Sequence, residues 1–103
     1  MTPRALLIVS LDIAPEKEDA FNDWYNKKHI PEVLSAPGLV SGKRYRATRG
    51  KPKYWAVYEA ASEEALSQAL ASPEFKVAAD DFQSNWAPFT SNFSLVRSVL
   101  IGP

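Results

Sequence analysis

Residues 15–39, PEKEDAFNDWYNKKHIPEVLSAPGL, contain the clearest structural pattern of the chain and its single histidine. Phe21, Trp24, Tyr25 and the stem of Lys28 recur at the i, i+3, i+4, i+7 spacing of one helical face. Acidic residues precede this face and lysines follow it, which matches charge to the helix dipole. The stretch therefore predicts an amphipathic helix against which the other elements pack.

Prolines predict the ends of this helix. Pro15 suits the first helical position, because it lacks an N–H group that would have no partner there. Pro31 disfavours a helical conformation at the preceding residue, so the helix is predicted to end near His29. Pro31 would then begin a second short helix, which Pro37 and Gly38 end. This arrangement leaves an imidazole at a helix end, beside the aromatic face.

Four segments have the composition of β-strands, because they are rich in branched and aromatic side chains and are bounded by turn residues. The turn sequence RGKP joins the middle two into a hairpin. If Gly50 lies in that turn, Arg46 pairs with Tyr54 and Gly42 pairs with Tyr58 across the hairpin. The predicted strands are residues 4–13, 40–48, 54–60 and 92–101.

The segment between the third and fourth strands is predicted to hold the second helical region. Ser62 is a suitable N-cap for a helix whose apolar stripe includes Leu66. Ser72 caps another short helix, which extends through Ala78. Residues 80–91, DDFQSNWAPFTS, have no clear period and are predicted to form a loop that carries aromatic side chains.

The order of these elements is β-α-β-β-α-β, which predicts an α+β, ferredoxin-like fold as one domain over residues 1–103. Its helices would cover one face of a four-stranded antiparallel sheet. The first and last strands are apolar on both sides, so the other face also needs a cover. At about 25 cal/mol per Å² of apolar surface, an uncovered face would forgo several kcal/mol of stabilisation. The sequence therefore predicts a twofold homodimer formed through the sheet face.

Composition limits the partners of the chain. Twelve basic residues balance twelve acidic ones over 103 residues, which argues against nucleic acid or an anionic membrane as a partner. The absence of cysteine excludes disulfides and thiolate nucleophiles, and a single histidine argues against a metal site. The longest N-terminal apolar run, residues 5–9, is too short to span a membrane. We expect a soluble, cytoplasmic protein.

Short motifs spread over most of the chain carry a family resemblance. They are DWY at 23–25, KHIPE at 28–32, APGL at 36–39, RYR at 44–46, SEEAL at 62–66 and SPEF at 72–75. The chain resembles the dimeric α/β-barrel superfamily and, within it, the EthD-like proteins. That superfamily includes cofactor-free monooxygenases, polyketide cyclases, decarboxylases, muconolactone isomerases and heme-degrading enzymes. The resemblance implies a homodimer and a small ligand bound between the sheet and the helices of one subunit.

The resemblance also bears on the catalytic group and on cofactors. In the EthD-like pattern the helix-end histidine, here His29, is the usual catalytic candidate. Heme-degrading members carry a histidine on the second-half helices, whereas residues 75–82 contain none. The resemblance therefore implies neither heme nor another cofactor.

His29 and Tyr25 are the predicted catalytic residues. An imidazole titrates near ~6.5, so His29 is suited to act as a general acid or base. Tyr25 lies four residues before it, on the same side of the helix, and would donate to a substrate oxygen or orient the imidazole. The structural alternatives stay open at this stage: His29 would bond a helix-end carbonyl, and Tyr25 would be part of the core.

The predicted substrate-binding residues are mostly aromatic. Arg46 is a possible anchor for an anionic group, with Arg44 as its companion, although a solvated basic hairpin is the alternative. Ser10 interrupts an apolar strand and would bond either a neighbour or a ligand. The complete predicted set is Trp24, Arg46, Tyr54, Tyr58, Trp86 and Ser10.

These features predict a small cofactor-independent enzyme that acts on an aromatic, lactone or polyketide-like molecule. His29 would transfer a proton in an isomerase, a lyase or decarboxylase, or a cyclase. Three alternatives remain open: a non-catalytic protein that binds a small apolar or aromatic molecule, a purely structural homodimer, and a cofactor-free monooxygenase.

Overall fold

Helices cover one face of a four-stranded antiparallel sheet in the computed structural model, which describes residues 3–102. The spatial order of the strands is β2-β3-β1-β4. This architecture confirms the predicted ferredoxin-like β-α-β-β-α-β fold. The strands are β1 (Ala5–Ile13), β2 (Leu39–Arg46), β3 (Tyr54–Ala60) and β4 (Thr90–Val99).

The helical layer has two parts, one on each side of the β2–β3 hairpin in sequence. Ser62 and Ser72 cap the later helices, since their side chains accept hydrogen bonds from the backbone N–H groups of Ala65 and Phe75. Both predicted caps are confirmed. The helices are α1 (Glu18–Trp24), α2 (Ile30–Leu34), α3 (Glu63–Leu70) and α4 (Pro73–Asn85), with a π-helical turn at Tyr25–His29 and 3₁₀ turns at Pro15–Lys17 and Ala87–Phe89.

The prediction that the first helix ends near His29 is wrong, because helical structure continues through a π-helical turn into α2. In that turn the N–H of Ile30 bonds the carbonyl of Tyr25, one residue further back than in an α-helix. Pro31 has no N–H to donate, and its ring would crowd the preceding α-helical turn. The wider turn lets the chain pass the proline without ending the helix.

The prediction of a loop over residues 80–91 is also wrong in its first half. Helix α4 continues to Asn85, and β4 begins at Thr90. Phe75, Ala78 and Phe82 are spaced i, i+3, i+7, and Ala78 and Phe82 are buried. The helical period was therefore present in the sequence, although the neighbouring polar residues obscured it.

The predicted register of the hairpin is confirmed. Arg46 pairs with Tyr54, and Gly42 pairs with Tyr58. A Cβ atom on Gly42 would lie 2.9 Å from Cδ1 of Tyr58, closer than two side chains can approach. The glycine therefore leaves room for the Tyr58 ring, which is fully buried beneath the helices.

The two faces of the sheet differ in their cover. Leu7 and Leu11 of β1 are buried against the helices, whereas Leu6 and Ile8 alternate with them and lie on the outer face. The outer face is partly exposed and largely apolar. Its large side chains are Leu6, Ile8, Tyr45, Trp55, Val57 and Val96.

Candidate active site between the sheet and the helices

A cavity of about 180 Å³ lies between the sheet and the helices. The polar residues that border it are Tyr25, His29, Tyr58 and Gln83, and the remaining walls are apolar. The apolar wall residues are Leu7, Val9, Val33, Phe75, Ala79, Phe82, Phe93 and Leu95. A mostly apolar cavity with a few polar groups is the usual form of a small-molecule site.

His29 is held between aromatic rings at the edge of this cavity. The Trp24 ring stacks on it with centroids 4.7 Å apart, and the Tyr25 ring meets it edge-on at 4.7 Å. The Phe82 ring packs against the imidazole at 5.8 Å, and only 6% of His29 is exposed. Burial lowers the pKa of His29 to about 4. The imidazole is therefore neutral near pH 7 and has a nitrogen lone pair that can accept a proton.

Two carboxyl groups lie behind the His29 ring. Nδ1 of His29 is 3.6 Å from Oε1 of Glu32, which is too long for a hydrogen bond. Asp81 is next to Glu32, and the ammonium group of Lys28 lies 3.1 Å from Oδ2 of Asp81. Burial of Glu32, together with the adjacent Asp81, raises the pKa of Glu32. The carboxylate of Asp81 partly opposes the lowering of the His29 pKa.

Two phenols contribute to the cavity wall. The hydroxyl groups of Tyr25 and Tyr58 are 3.1 Å apart and hydrogen-bonded. Burial raises the pKa of both phenols, so both are neutral near pH 7. One of the two hydroxyl groups donates to the other, which leaves one O–H free to donate to a ligand.

Arg44 fixes the Tyr25 ring from the sheet side. Its guanidinium carbon lies 4.3 Å from the centroid of that ring. The same guanidinium group donates to the side chains of Asn22 and Asn26 at 3.0 Å each. These contacts use much of its donor capacity and hold the phenol in place.

The structure brings three of the predicted site residues together at the cavity: His29, Tyr25 and Tyr58. The indole ring of Trp24 stacks on the imidazole. Tyr54 is buried further along the sheet, where its hydroxyl bonds Asn22 and Glu18. Of these aromatic residues, Trp24 supports His29 and Tyr54 lies away from the cavity.

The other three predicted binding residues do not border the cavity. Trp86 packs against the rings of Phe21 and Trp24, with centroids 5.2 and 5.6 Å apart. Arg46 is exposed at the end of β2. Ser10 is buried, but it alternates with Val9 and so lies on the opposite face of the sheet.

The residues that sequence analysis missed belong mainly to α2 and α4. Glu32 becomes a neighbour of His29 because the helix continues past Pro31. Asp81 and Phe82 reach the site because α4 extends to Asn85. The signal for the second pair was the helical spacing from Phe75 to Phe82.

Two further findings apply to residues 3–102. No group of three His, Asp or Glu side chains in this range is arranged to hold a metal ion. No helix in the same range is both long enough and apolar enough to cross a bilayer.

Residues 4–97 match the family model described as "Domain of unknown function (DUF4286)". The chain belongs to the DUF4286 family. A comparison with curated proteins gives no match for this DUF4286 protein.

Solved structures share the fold of this DUF4286 protein at low identity. An EthD family protein from Bacillus halodurans C-125 is 24% identical with a TM-score of 0.76, over 95% of this chain and 99% of its own. A structure from Bacteroides thetaiotaomicron VPI-5482, described as a putative antibiotic biosynthesis monooxygenase, is 18% identical with a TM-score of 0.67, over 97% and 91%. The heme degrader MhuD from Mycobacterium tuberculosis is 16% identical with a TM-score of 0.70, over 96% and 97%. These likenesses confirm the predicted ferredoxin-like fold.

Proposed function

We propose that this DUF4286 protein is a small cofactor-independent enzyme that transfers a proton on an aromatic or lactone-like molecule bound beside His29. The observation that carries the proposal is a neutral, buried imidazole at the edge of an apolar cavity that also contains paired phenols. The low identity of the solved neighbours supports no particular reaction, so the proposal depends on the site itself.

The imidazole is suited to be the base. A nitrogen of His29 would remove a proton from a carbon next to a ligand carbonyl, and the electron pair would move onto the carbonyl oxygen. The free O–H of the Tyr25–Tyr58 pair would donate to that oxygen as its negative charge develops. The protonated nitrogen of His29 would then return a proton to another carbon, which completes an isomerisation, or to the product of a bond cleavage.

The size of the cavity limits the ligand. An engineered apolar cavity of about 150 Å³ accommodates benzene, and this cavity measures about 180 Å³. A single ring with one or two oxygen substituents therefore fits better than a fused polyketide. Phe93 and Leu95 of β4 are each 47% exposed where they border the cavity, so a longer substituent would leave the cavity beside β4.

The proposed assembly is a twofold homodimer. The outer face of the sheet carries a continuous set of apolar side chains, and Tyr45 and Val96 in it are 54% and 49% exposed. Association of two such faces would remove this surface from water. Sedimentation as a stable monomer at micromolar concentration would contradict the dimer. The single-domain organisation and the cytoplasmic location stay predictions.

Replacement of the imidazole tests the catalytic proposal. The wild type and His29→Gln are incubated in D₂O with single-ring hydroxyketones and unsaturated lactones, and deuterium incorporation at carbon is followed by NMR. We expect His29→Gln to lower the exchange rate by about 10²–10⁴-fold, the usual contribution of a placed general base.

A neighbouring surface variant provides the control. Lys27 lies two residues before His29, and its exposed ammonium group pairs with Asp23. Lys27→Gln should therefore leave the exchange rate unchanged. A folded His29→Gln variant with wild-type exchange would remove His29 from the mechanism. Saturable binding by the wild type without any exchange would instead support a non-catalytic binding protein.

A cofactor-free monooxygenase is the second candidate. Several solved structures with this fold are described as putative antibiotic biosynthesis monooxygenases. The first step would again be deprotonation of the ligand by His29. The deprotonated ligand would then transfer electrons to O₂. Oxygen consumption measured with an electrode distinguishes the two reactions, since an isomerase or a lyase consumes none.

A further inference from the structure

The acidic pair behind His29 is not explained by the proposed reaction alone. Nδ1 of His29, Oε1 of Glu32 and Oδ2 of Asp81 are buried and have no hydrogen-bond partner among the described residues. The imidazole itself is more than nine-tenths buried. Nδ1 of His29 and Oε1 of Glu32 face each other at 3.6 Å, and Oδ2 of Asp81 contacts the ammonium group of Lys28 in an ion pair. A proton on Nδ1 would supply the donor that this buried group needs.

We propose that Glu32 and Asp81 form an acid pair that holds the His29 proton on Nδ1, directs the Nε2 lone pair into the cavity, and passes protons to solvent. The inference rests on the proposed function, because it identifies which imidazole nitrogen acts as the base. Glu32 and Asp81 are positioning residues here, since neither borders the cavity.

The distances support this assignment. Glu32 lies three residues after His29, and its Oε1 approaches the ring from the Nδ1 side at 3.6 Å. Contacts of catalytic groups are often long in a ligand-free site and shorten when the ligand binds. A movement of less than 1 Å would turn this contact into an N–H···O hydrogen bond. Nε2 is then the nitrogen that remains for a ligand.

The pair also provides a balanced route for the proton. Nε2 takes a proton from the ligand, and Nδ1 releases its own proton to Oε1 of Glu32. Glu32 passes the proton that it shares with Asp81 to Asp81, which releases it to water. One proton enters at Nε2 and one leaves at Asp81, whose side chain is 19% exposed. When Nε2–H protonates the product, the transfers run in reverse and a proton from water returns to Nδ1.

The surrounding charges are consistent with one shared proton. Two carboxyl groups in contact cannot both be charged without a large penalty, so one of them keeps a proton. Lys28 lies against Asp81 on the solvent side and balances the remaining negative charge. Arg44 faces His29 from the sheet and disfavours a positive imidazole, and the phenols of Tyr25 and Tyr58 are neutral.

The single histidine makes a direct test possible. In tag-free, ¹⁵N-labelled protein all imidazole signals come from His29, and two-bond ¹H–¹⁵N correlations identify the protonated nitrogen without any substrate. We expect the Nδ1–H form to predominate in the wild type at pH 7. A predominant Nε2–H form in the wild type would overturn the proposal, whatever the variants show.

Matched variants separate the acceptor from the charge. Glu32→Leu removes the acceptor and should shift the ring towards the Nε2–H form that free histidine prefers. Glu32→Gln keeps an acceptor oxygen without charge and should retain the Nδ1–H form. Asp81→Asn removes a nearby negative charge and should lower the pKa of His29 by roughly 1 unit. Asp23→Asn, on the exposed side of α1, should change neither property and is the control.

The outcomes are separable from those of the catalytic proposal. A Glu32→Leu spectrum identical to that of the wild type, in a folded protein, would overturn the role of Glu32. Loss of exchange activity in His29→Gln with an Nε2–H wild type would keep the base and remove the acid pair. An Nδ1–H wild type with full activity in His29→Gln would keep the geometry and remove the catalysis.

Discussion

The two ends of the helical layer differ in how completely they fill the space above the sheet. Under α1, the rings of Phe21, Trp24 and Trp86 pack against one another, and a void of only about 10 Å³ remains beside Tyr54 and Arg44. Under α2 and α4 the cavity of about 180 Å³ is left open. One layer therefore contains both a filled core and a hollow.

The difference arises from the sizes of the side chains that the helices present. Helix α1 and the residues after α4 contribute aromatic rings that pack on one another, whereas the hollow is bordered by the small helical residues Val33 and Ala79 as well as by larger rings. Leu7 and Val9 of β1 form part of the floor of the hollow. Interiors normally fill such space, so the cavity beside the buried imidazole supports the proposed ligand site.

The largest effect is expected at the filled end. Phe21 is completely buried and contacts four other aromatic rings. Phe21→Ala should lower the free energy of unfolding by about 3–5 kcal/mol, since it creates a cavity in a rigid aromatic cluster. Urea denaturation followed by tryptophan fluorescence measures this change.

Phe75→Ala is the matched comparison at the hollow end. Phe75 is partly exposed and already borders empty space, so its truncation should cost clearly less than that of Phe21. Equal losses in the two variants would show that the hollow collapses in solution and that the two ends do not differ.

The second effect is a pH dependence that belongs to His29. Its pKa is about 4 in the folded state and 6.5 as the ordinary value, so the unfolded chain binds more protons between these limits. The contribution of the neutral imidazole to the free energy of unfolding is fully present above about pH 6.5, and it is lost as the pH is lowered towards 4. The loss amounts to about 3 kcal/mol at pH 4.

His29→Gln isolates this contribution. The raised pKa of Glu32 acts in the opposite direction, but it is present in both proteins to a first approximation. The free energy of unfolding should therefore decline more steeply from pH 7 to pH 4 in the wild type than in His29→Gln. Parallel curves would mean that the imidazole is solvated, which would also weaken its assignment as a neutral base.

The sequence was sufficient to predict the fold and part of the candidate site. The i, i+4 spacing placed the rings of Tyr25 and His29 together, and they lie 4.7 Å apart. The hairpin turn placed Tyr58 opposite Gly42. Both inferences depend on local periodicity, which a single sequence records directly.

The rest of the site depends on choices between competing local signals. Pro31 normally ends a helix, and only the π-helical turn before it brings Glu32 behind His29. Arg44 and Arg46 share one strand face, so alternation could not show that Arg44 lies under α1 while Arg46 extends beyond it. Such distinctions are set by how far a helix covers a strand, which is a property of tertiary packing.

The smallest effect on stability, and the sharpest test of the hollow, comes from filling it. Ala79 borders the cavity from α4, and Ala79→Leu would place three further carbon atoms in it. We expect the free energy of unfolding to rise by about 0.5–1 kcal/mol, as for other cavity-filling changes, while exchange activity is lost. Val77→Leu, on the exposed side of the same helix, should change neither.

A leucine at position 79 that destabilises the protein by 1 kcal/mol or more, as overpacking does, would show that the space is already occupied by relaxed side chains. A stable variant that stays active would place the reaction elsewhere.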